Sequence, residues 1–225
     1  PVVAVVAGAP ERLVSNATPL RAVELHSGCA LATLGVDRGP VPWAARGHRA
    51  EVLAWLADSA RAQGSELVTG MPYLHPQNPD RYYNAALALT SPQPVYGKDH
   101  LVPFGEFIPP LFKWFTEMLN IPLGDFNRGT VGQASFAVAG QRIAPNICYE
   151  DLYGEELATR FTDTTTSPTI FANVSNLGWF NNTVALQQHL TISRVRTLEF
   201  QRPFVRATNT GATAFLSHEG KVIDR

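Results

Sequence analysis

The chain has 225 residues, 45% apolar and 16% charged, with a net charge of −1. That balance suits a well-filled globular interior, and near-neutrality argues against nucleic acid as a partner. No apolar run approaches the ~18 residues needed to cross a bilayer, and the apolar start Pro1 to Ala9 lacks the basic flank and length of a signal peptide.

The elements follow in chain order. Val2 to Ala7 is a Val-rich run ended by Gly8 and Pro10, which predicts a buried strand. Thr18 to Leu34 is a weak helical candidate, and Gly35 to Gly47 reads as irregular. Glu51 to Gln63 predicts a helix: Leu53, Leu56, Ala57 and Ala60 fall at helical spacing, with Arg61 in the last turn and Gly64 beyond it. Strands are expected at Glu66 to Met71, Asn84 to Thr90 and Val95 to Lys98. Leu111 to Leu119 reads as a small amphipathic helix. Ser135 to Ala139 and Arg142 to Ile147 suggest a hairpin about Gly140.

Gly154 to Phe161 is a helix with acidic residues in its first turn, as the helix dipole favours. Thr169 to Val174 is a β-branched strand. Val184 to Gln201 is a long helix with Leu186, Leu190 and Leu198 on one side, ended by Pro203. Phe204 to Thr208 and Thr213 to Ser217 read as paired strands, with Lys221 to Ile223 after a turn. Strands and helices interleave without repeat or linker, so residues 1–225 read as one α/β or α+β domain. The missing initial Met and the stop in mid-strand suggest an excised or partial domain.

Two cysteines, Cys29 and Cys148, exclude a disulfide framework. The six His are scattered, with no Cys-x-x-Cys or His-Glu-x-x-His, so no metal or cofactor is expected. The run Arg142-Ile143-Ala144-Pro145-Asn146-Ile147-Cys148-Tyr149-Glu150-Asp151 carries an apolar strand into a Cys, then polar residues, then a helix. Such a turn exposes the thiol to helical N–H groups, which lowers its pKa. It can also aim backbone N–H groups at an oxyanion. Position alone favours a buried structural Cys, which behaves as a small hydrophobe.

Tyr96-Gly97-Lys98-Asp99-His100-Leu101-Val102-Pro103-Phe104-Gly105-Glu106-Phe107 places a Lys, a His and a Glu in a segment broken by Pro and Gly. A Lys ammonium near a Cys favours the thiolate and stabilises a tetrahedral oxyanion. Asn173 to Asn182 joins amides to Trp179 and Phe180, as a pocket wall or a packed turn. His189 reads as a hydrogen-bonded structural His. Arg202 and Arg206 are either anion ligands or surface charge.

Together these segments resemble the bacterial apolipoprotein N-acyltransferases, within the wider carbon–nitrogen hydrolases. Gly97 to Pro109 is similar to the family's lysine segment, and Asn146 to Glu150 to its nucleophile segment. Ser175-Asn176 with Trp179-Phe180, Gln188-His189, and Arg194 through Arg202-Pro203 to Gly211 are similar to its C-terminal pattern. The resemblance covers Glu51 to Lys221, about three-quarters of the chain by position counting.

It implies a nitrilase-like four-layer α-β-β-α sandwich. It implies that Cys148 takes an acyl chain from a phospholipid as a thioester while Lys98 stabilises the oxyanion. The chain then passes to the N-terminal diacylglyceryl-cysteine of an apolipoprotein. Glu106, Tyr149 and Glu150 match supporting positions. The domain would face the periplasm at the bacterial inner membrane, carried by helices absent from this chain.

The family also uses a glutamate general base upstream of the lysine, a group contributing ~10²–10⁴ in rate. Glu11, in Ala9-Pro10-Glu11-Arg12, is the tentative base. If Val2 to Ala7 is instead the family's first strand, the base falls near Gly35 to Pro42, where the one carboxylate is Asp37 beside Arg38. Leu177 stands where relatives often have an acidic residue. Two other readings stay open: a soluble amidase or nitrilase-type C–N hydrolase, and a decayed member without turnover.

Overall fold

The computed structural model describes residues 3–7, 22–24, 29–32, 54–109 and 126–224, apart from positions 56, 63–65, 76, 79, 91, 93, 139, 178–179, 181–182 and 209–210; for 3–32 only the backbone is described. The expectations for Gly35 to Gly47, Leu111 to Leu119, Glu11, Asp37, Trp179, Asn181 and Asn182 lie outside these residues.

Two six-stranded sheets form the middle of the fold. The first runs in the order β2 (Ala22–Glu24), β3 (Cys29–Ala32), β1 (Val3–Ala7), β4 (Glu66–Leu74), β5 (Tyr82–Ala88), β6 (Tyr96–Gly97). All its pairs are antiparallel. The second contains β7 (Phe136–Val138), β8 (Gln141–Ile147), β9 (Ile170–Ser175), β10 (Phe204–Thr208), β11 (Ala214–Leu216) and β12 (Val222–Asp224), in that spatial order. Its centre is parallel, β8 beside β9 and β9 beside β10.

Parallel neighbours need crossovers. The first contains α2 (Gly154–Ala158), the second α3 (Ala185–Phe200). Strand β9 is buried along its whole length, its two polar residues Asn173 and Ser175 included, which suits a central strand covered on both faces.

One core lies between the sheets. Val68, Ala86 and Tyr96 of the first meet Phe136, Ile143, Ile170, Val174 and Phe215 of the second. Gly70 lets them approach, because a Cβ there would lie 2.8 Å from Val174 Cγ2. The other face of the second sheet packs Phe171, Phe204 and Ala144 against Leu157 of α2 and Leu190 of α3. Beyond the first sheet's sequence start, residues 54–55 and 57–62 are helical (α1), with Ala57 and Ala60 buried. The Arg61 guanidinium of α1 donates to the Thr90 and Leu89 carbonyls after β5. The whole is the expected α-β-β-α sandwich.

Two expectations are corrected. Within Thr18 to Leu34 the chain forms β2 and β3 rather than a helix. Pairing of Ala4 with Ala32 and Val5 with Leu31 supplies ladder bonds that outweigh a weak helical preference. In α3, Leu198 is exposed, while His189, Leu190, Ser193 and Thr197 are buried. The inward face is largely polar because a buried ionic network lies beneath it. The helix ends on Gln201, at φ 51, two residues before Pro203.

Candidate active site

Strand β8 ends at Ile147, and Cys148 opens a 3-10 helix that runs Cys148–Leu152. Cys148 has φ 56, in the left-handed region that costs a side-chain-bearing residue ~1–2 kcal/mol. Such a turn survives only where surrounding contacts dictate it.

Glu150 supplies most of those contacts. Its buried carboxylate accepts from four donors. The Ile147 backbone N–H (2.6 Å) and the Tyr96 hydroxyl (2.9 Å) reach Oε2. The Asp99 (2.7 Å) and His100 (3.1 Å) backbone N–H groups reach Oε1. One side chain therefore ties the cysteine turn to the lysine segment and to β6. Burial, and then the Asp99 side chain, push its pKa well above the usual carboxylate range.

Lys98 follows β6 and is fully buried. An unpaired buried ammonium costs several kcal/mol, so it needs a counter-charge. Glu106 provides it, with Oε2 2.7 Å from Lys98 Nζ. Glu106 is itself held by Asn84 Nδ2 on Oε1 (2.7 Å) and by the Val102 N–H on Oε2 (2.8 Å). The Tyr149 ring lies 5.0 Å from the ammonium, and its hydroxyl donates to the Leu101 carbonyl at 2.9 Å. His100 stacks on Tyr153 at 3.5 Å and meets the Tyr149 ring edge-on.

The segment 126–129 closes the lysine loop from outside. The Phe126 N–H bonds the Glu106 carbonyl, and the Gly129 N–H bonds the Lys98 carbonyl at 2.8 Å. A Cβ at Gly129 would lie 2.1 Å from the Gly97 oxygen, so only glycine fits.

Cys148 is a free thiol. Burial raises its pKa, while the Lys98 charge and the Tyr149 backbone N–H pull it down without overcoming burial. The expected depression is thus reversed: a five-residue 3-10 helix offers a weak dipole.

Behind the turn lies the ionic network. Arg206, fully buried, donates to Ser193 Oγ, to the His189 carbonyl and to Asp151 Oδ2 at 3.3 Å. Neither alternative for Arg206, anion ligand or surface charge, survives: its partner is Asp151. Burial lifts Asp151 to about 6 even against Arg206 and Ser193. His189 is held near 3 by burial and the Arg206 charge, and its Nδ1 accepts from that guanidinium. It is structural, as expected. Arg202 holds the Pro168 carbonyl at 2.9 Å and Arg194 the Gly220 carbonyl at 2.7 Å. Leu177 is buried.

The fold thus gathers Lys98, Glu106, Tyr149 and Glu150 about Cys148. Glu11 and Asp37 lie outside the described residues. Sequence reasoning placed Asn173 only in a pocket wall or a packed turn and gave no role to Asn84, Tyr96, Asp151 and Ser193. Asp151, adjoining the nucleophile segment, carried a local signal; the others acquire partners only through strand pairing or helix packing.

Among the described residues, no group of His, Cys, Asp or Glu could hold a metal ion. The carbon-nitrogen hydrolase family profile matches residues 27–225. An apolipoprotein N-acyltransferase from Verminephrobacter eiseniae is 65% identical over 145 residues, covering 63% of this chain and 27% of its own length. One from Bordetella bronchiseptica is 50% identical over 188 residues, covering 75% and 34%. The chain thus spans about a third or less of the curated relatives it matches. A carbon-nitrogen hydrolase from Helicobacter pylori superposes with a TM-score of 0.58 at 15% identity, covering 83% of this chain and 66% of that one.

Proposed function

The chain belongs to the carbon–nitrogen hydrolase family, and on that premise we propose that it is the catalytic domain of an apolipoprotein N-acyltransferase, with Cys148 as nucleophile. One observation carries the reading: a buried, ion-paired lysine lies against a strained cysteine turn in a chain 65% identical over 145 residues to such an enzyme.

The reaction follows from the site. A base removes the Cys148 thiol proton, and the sulfur attacks the carbonyl carbon of a phospholipid acyl ester. The carbonyl π pair moves to oxygen, where the Lys98 ammonium and the Tyr149 backbone N–H stabilise the charge. Collapse breaks the ester C–O bond. The lysophospholipid alkoxide leaves with a proton, and the acyl chain stays as a thioester. The α-amine of a lipoprotein's N-terminal diacylglyceryl-cysteine then attacks the thioester and gives one proton to the base, the C–S bond breaks, the base returns that proton to the departing Cys148 thiolate, and an amide forms.

Glu106 pairs with Lys98 and aims it, and Glu150 holds the turn against the lysine segment. For the base the candidate remains Glu11, with Asp37 the alternative. Among the described residues no helix is long and apolar enough to cross a membrane. Inner-membrane attachment with the domain in the periplasm belongs to this proposal through the resemblance alone.

The test is to incubate the full-length protein with phospholipid labelled in its acyl chain. A hydroxylamine-sensitive label on Cys148, lost in Cys148→Ser and Lys98→Ala, supports the reading. Undiminished labelling of either variant overturns it.

A further inference from the structure

Asn173 stands in β9 opposite Asn146 of β8, two residues before the nucleophile, and both are fully buried. The Asn173 side-chain amide has no spare group. Its Nδ2 donates to the Cys148 backbone carbonyl at 2.7 Å and to Asn146 Oδ1. Its Oδ1 accepts from Ser175 Oγ. The Cys148 carbonyl can only accept, so it fixes which end of the amide faces it, and the Ser175 hydroxyl steadies that orientation by donating to Oδ1.

Cys148 is also the one residue of this turn at positive φ, at 56. Rotating its peptide back to the favoured region would swing the carbonyl off Asn173. It would also redirect the sulfur relative to Lys98. Glu150 grips the turn through the Ile147 N–H, before the cysteine. Asn173 grips the carbonyl after it. The two holds flank the strained residue on both sides.

We propose that Asn173 is a positioning residue for the nucleophile: by holding the Cys148 carbonyl, with Ser175 steadying its amide, it keeps the sulfur facing Lys98. This rests on Cys148 being the nucleophile, though not on the identity of the acyl donor. Ile170 is the internal control. It lies in the same strand, buried in the core between the sheets and paired with Ile143 rather than with the cysteine turn, so a purely structural role would make both residues matter alike.

The experiment measures the burst of p-nitrophenolate when the full-length protein meets p-nitrophenyl butyrate, a donor that reports acylation whatever the natural lipid. Asn173→Ala should lower the burst rate constant about 10²-fold, the scale of an ångström-sized misplacement. Its KM should stay within about twofold, since substrate binding is not addressed. Ile170→Ala should keep the burst within about threefold of the unaltered protein at a comparable loss of Tm.

Equal losses in the two variants, or an unchanged burst in folded Asn173→Ala, overturn the proposal. If Asn173→Ala does not fold, Ser175→Ala decides: a slower burst at unchanged KM supports it and an unchanged burst refutes it. Absence of any burst in the unaltered protein refutes the nucleophile assignment, and this proposal with it. A normal burst without uptake of label from phospholipid refutes only the proposed donor.

Discussion

The Tyr96 hydroxyl and the Glu150 carboxylate are 54 residues apart in the chain and 2.9 Å apart in the fold. Their bond joins the edge strand of one sheet to the Cys148 turn of the other. It also explains why a carboxylate two residues after the cysteine is buried. Removing that acceptor strands three backbone N–H groups and a hydroxyl. Glu150→Ala should therefore destabilise the protein by about 3–5 kcal/mol, measured by urea unfolding. Tyr96→Phe should cost only about 1 kcal/mol, since the carboxylate keeps three donors.

Glu106 has a different duty. Glu106→Gln leaves the Lys98 ammonium buried without the counter-charge that holds it in place. Acylation of Cys148 should then slow about 10²–10³-fold, the scale of losing one oxyanion donor. Stopped-flow acylation kinetics check this. Asn84→Ala, which removes one bond to Glu106, should slow the reaction less.

The Cys148 thiol sits above the ordinary thiol range because burial outweighs the Lys98 charge. Its alkylation by iodoacetamide should keep accelerating with pH past the midpoint of a free cysteine. Lys98→Met removes a charge that lowers the thiol's pKa, so the profile should move further upward. A downward move would contradict the assigned contact.

Asp151, raised to about 6, binds its proton more tightly folded than unfolded. That contribution is fully present below the unfolded value near 4 and is lost as pH rises through about 6. Relative to Asp151→Asn, the protein should lose about 3 kcal/mol between those limits. Unfolding free energies at pH 4 and pH 7 test the sign. Arg206→Met should cost about 3–5 kcal/mol at neutral pH by leaving the carboxylate unpaired and buried.

Gly129→Ala would place a methyl against the Gly97 backbone carbonyl. A backbone obstacle cannot rotate away, so the lysine segment must shift. The expected cost is about 1–3 kcal/mol with a matching loss of Cys148 acylation. Calorimetry together with acylation kinetics checks both.

Most of the sandwich was legible in the sequence, because its signals are local. The Val- and Ile-rich runs announce buried strands. The lysine and nucleophile segments are long enough to be specific, and a strand ending in a cysteine predicts a turn. Where the signal depended on distant partners, reading failed. Ala22–Glu24 and Cys29–Ala32 have little intrinsic strand preference and pair as strands only beside β1.

The fate of charge was the least legible. Arg206 looked like surface or ligand-binding charge, yet it is the buried partner of Asp151, 55 residues away. The thiol looked depressed by a helix, yet burial raises it. Identity and order of residues determined which segments make the site. Only the packing of two sheets and a helix decided which groups lose water and which charges meet, because desolvation and Coulomb energies depend on distances across the fold.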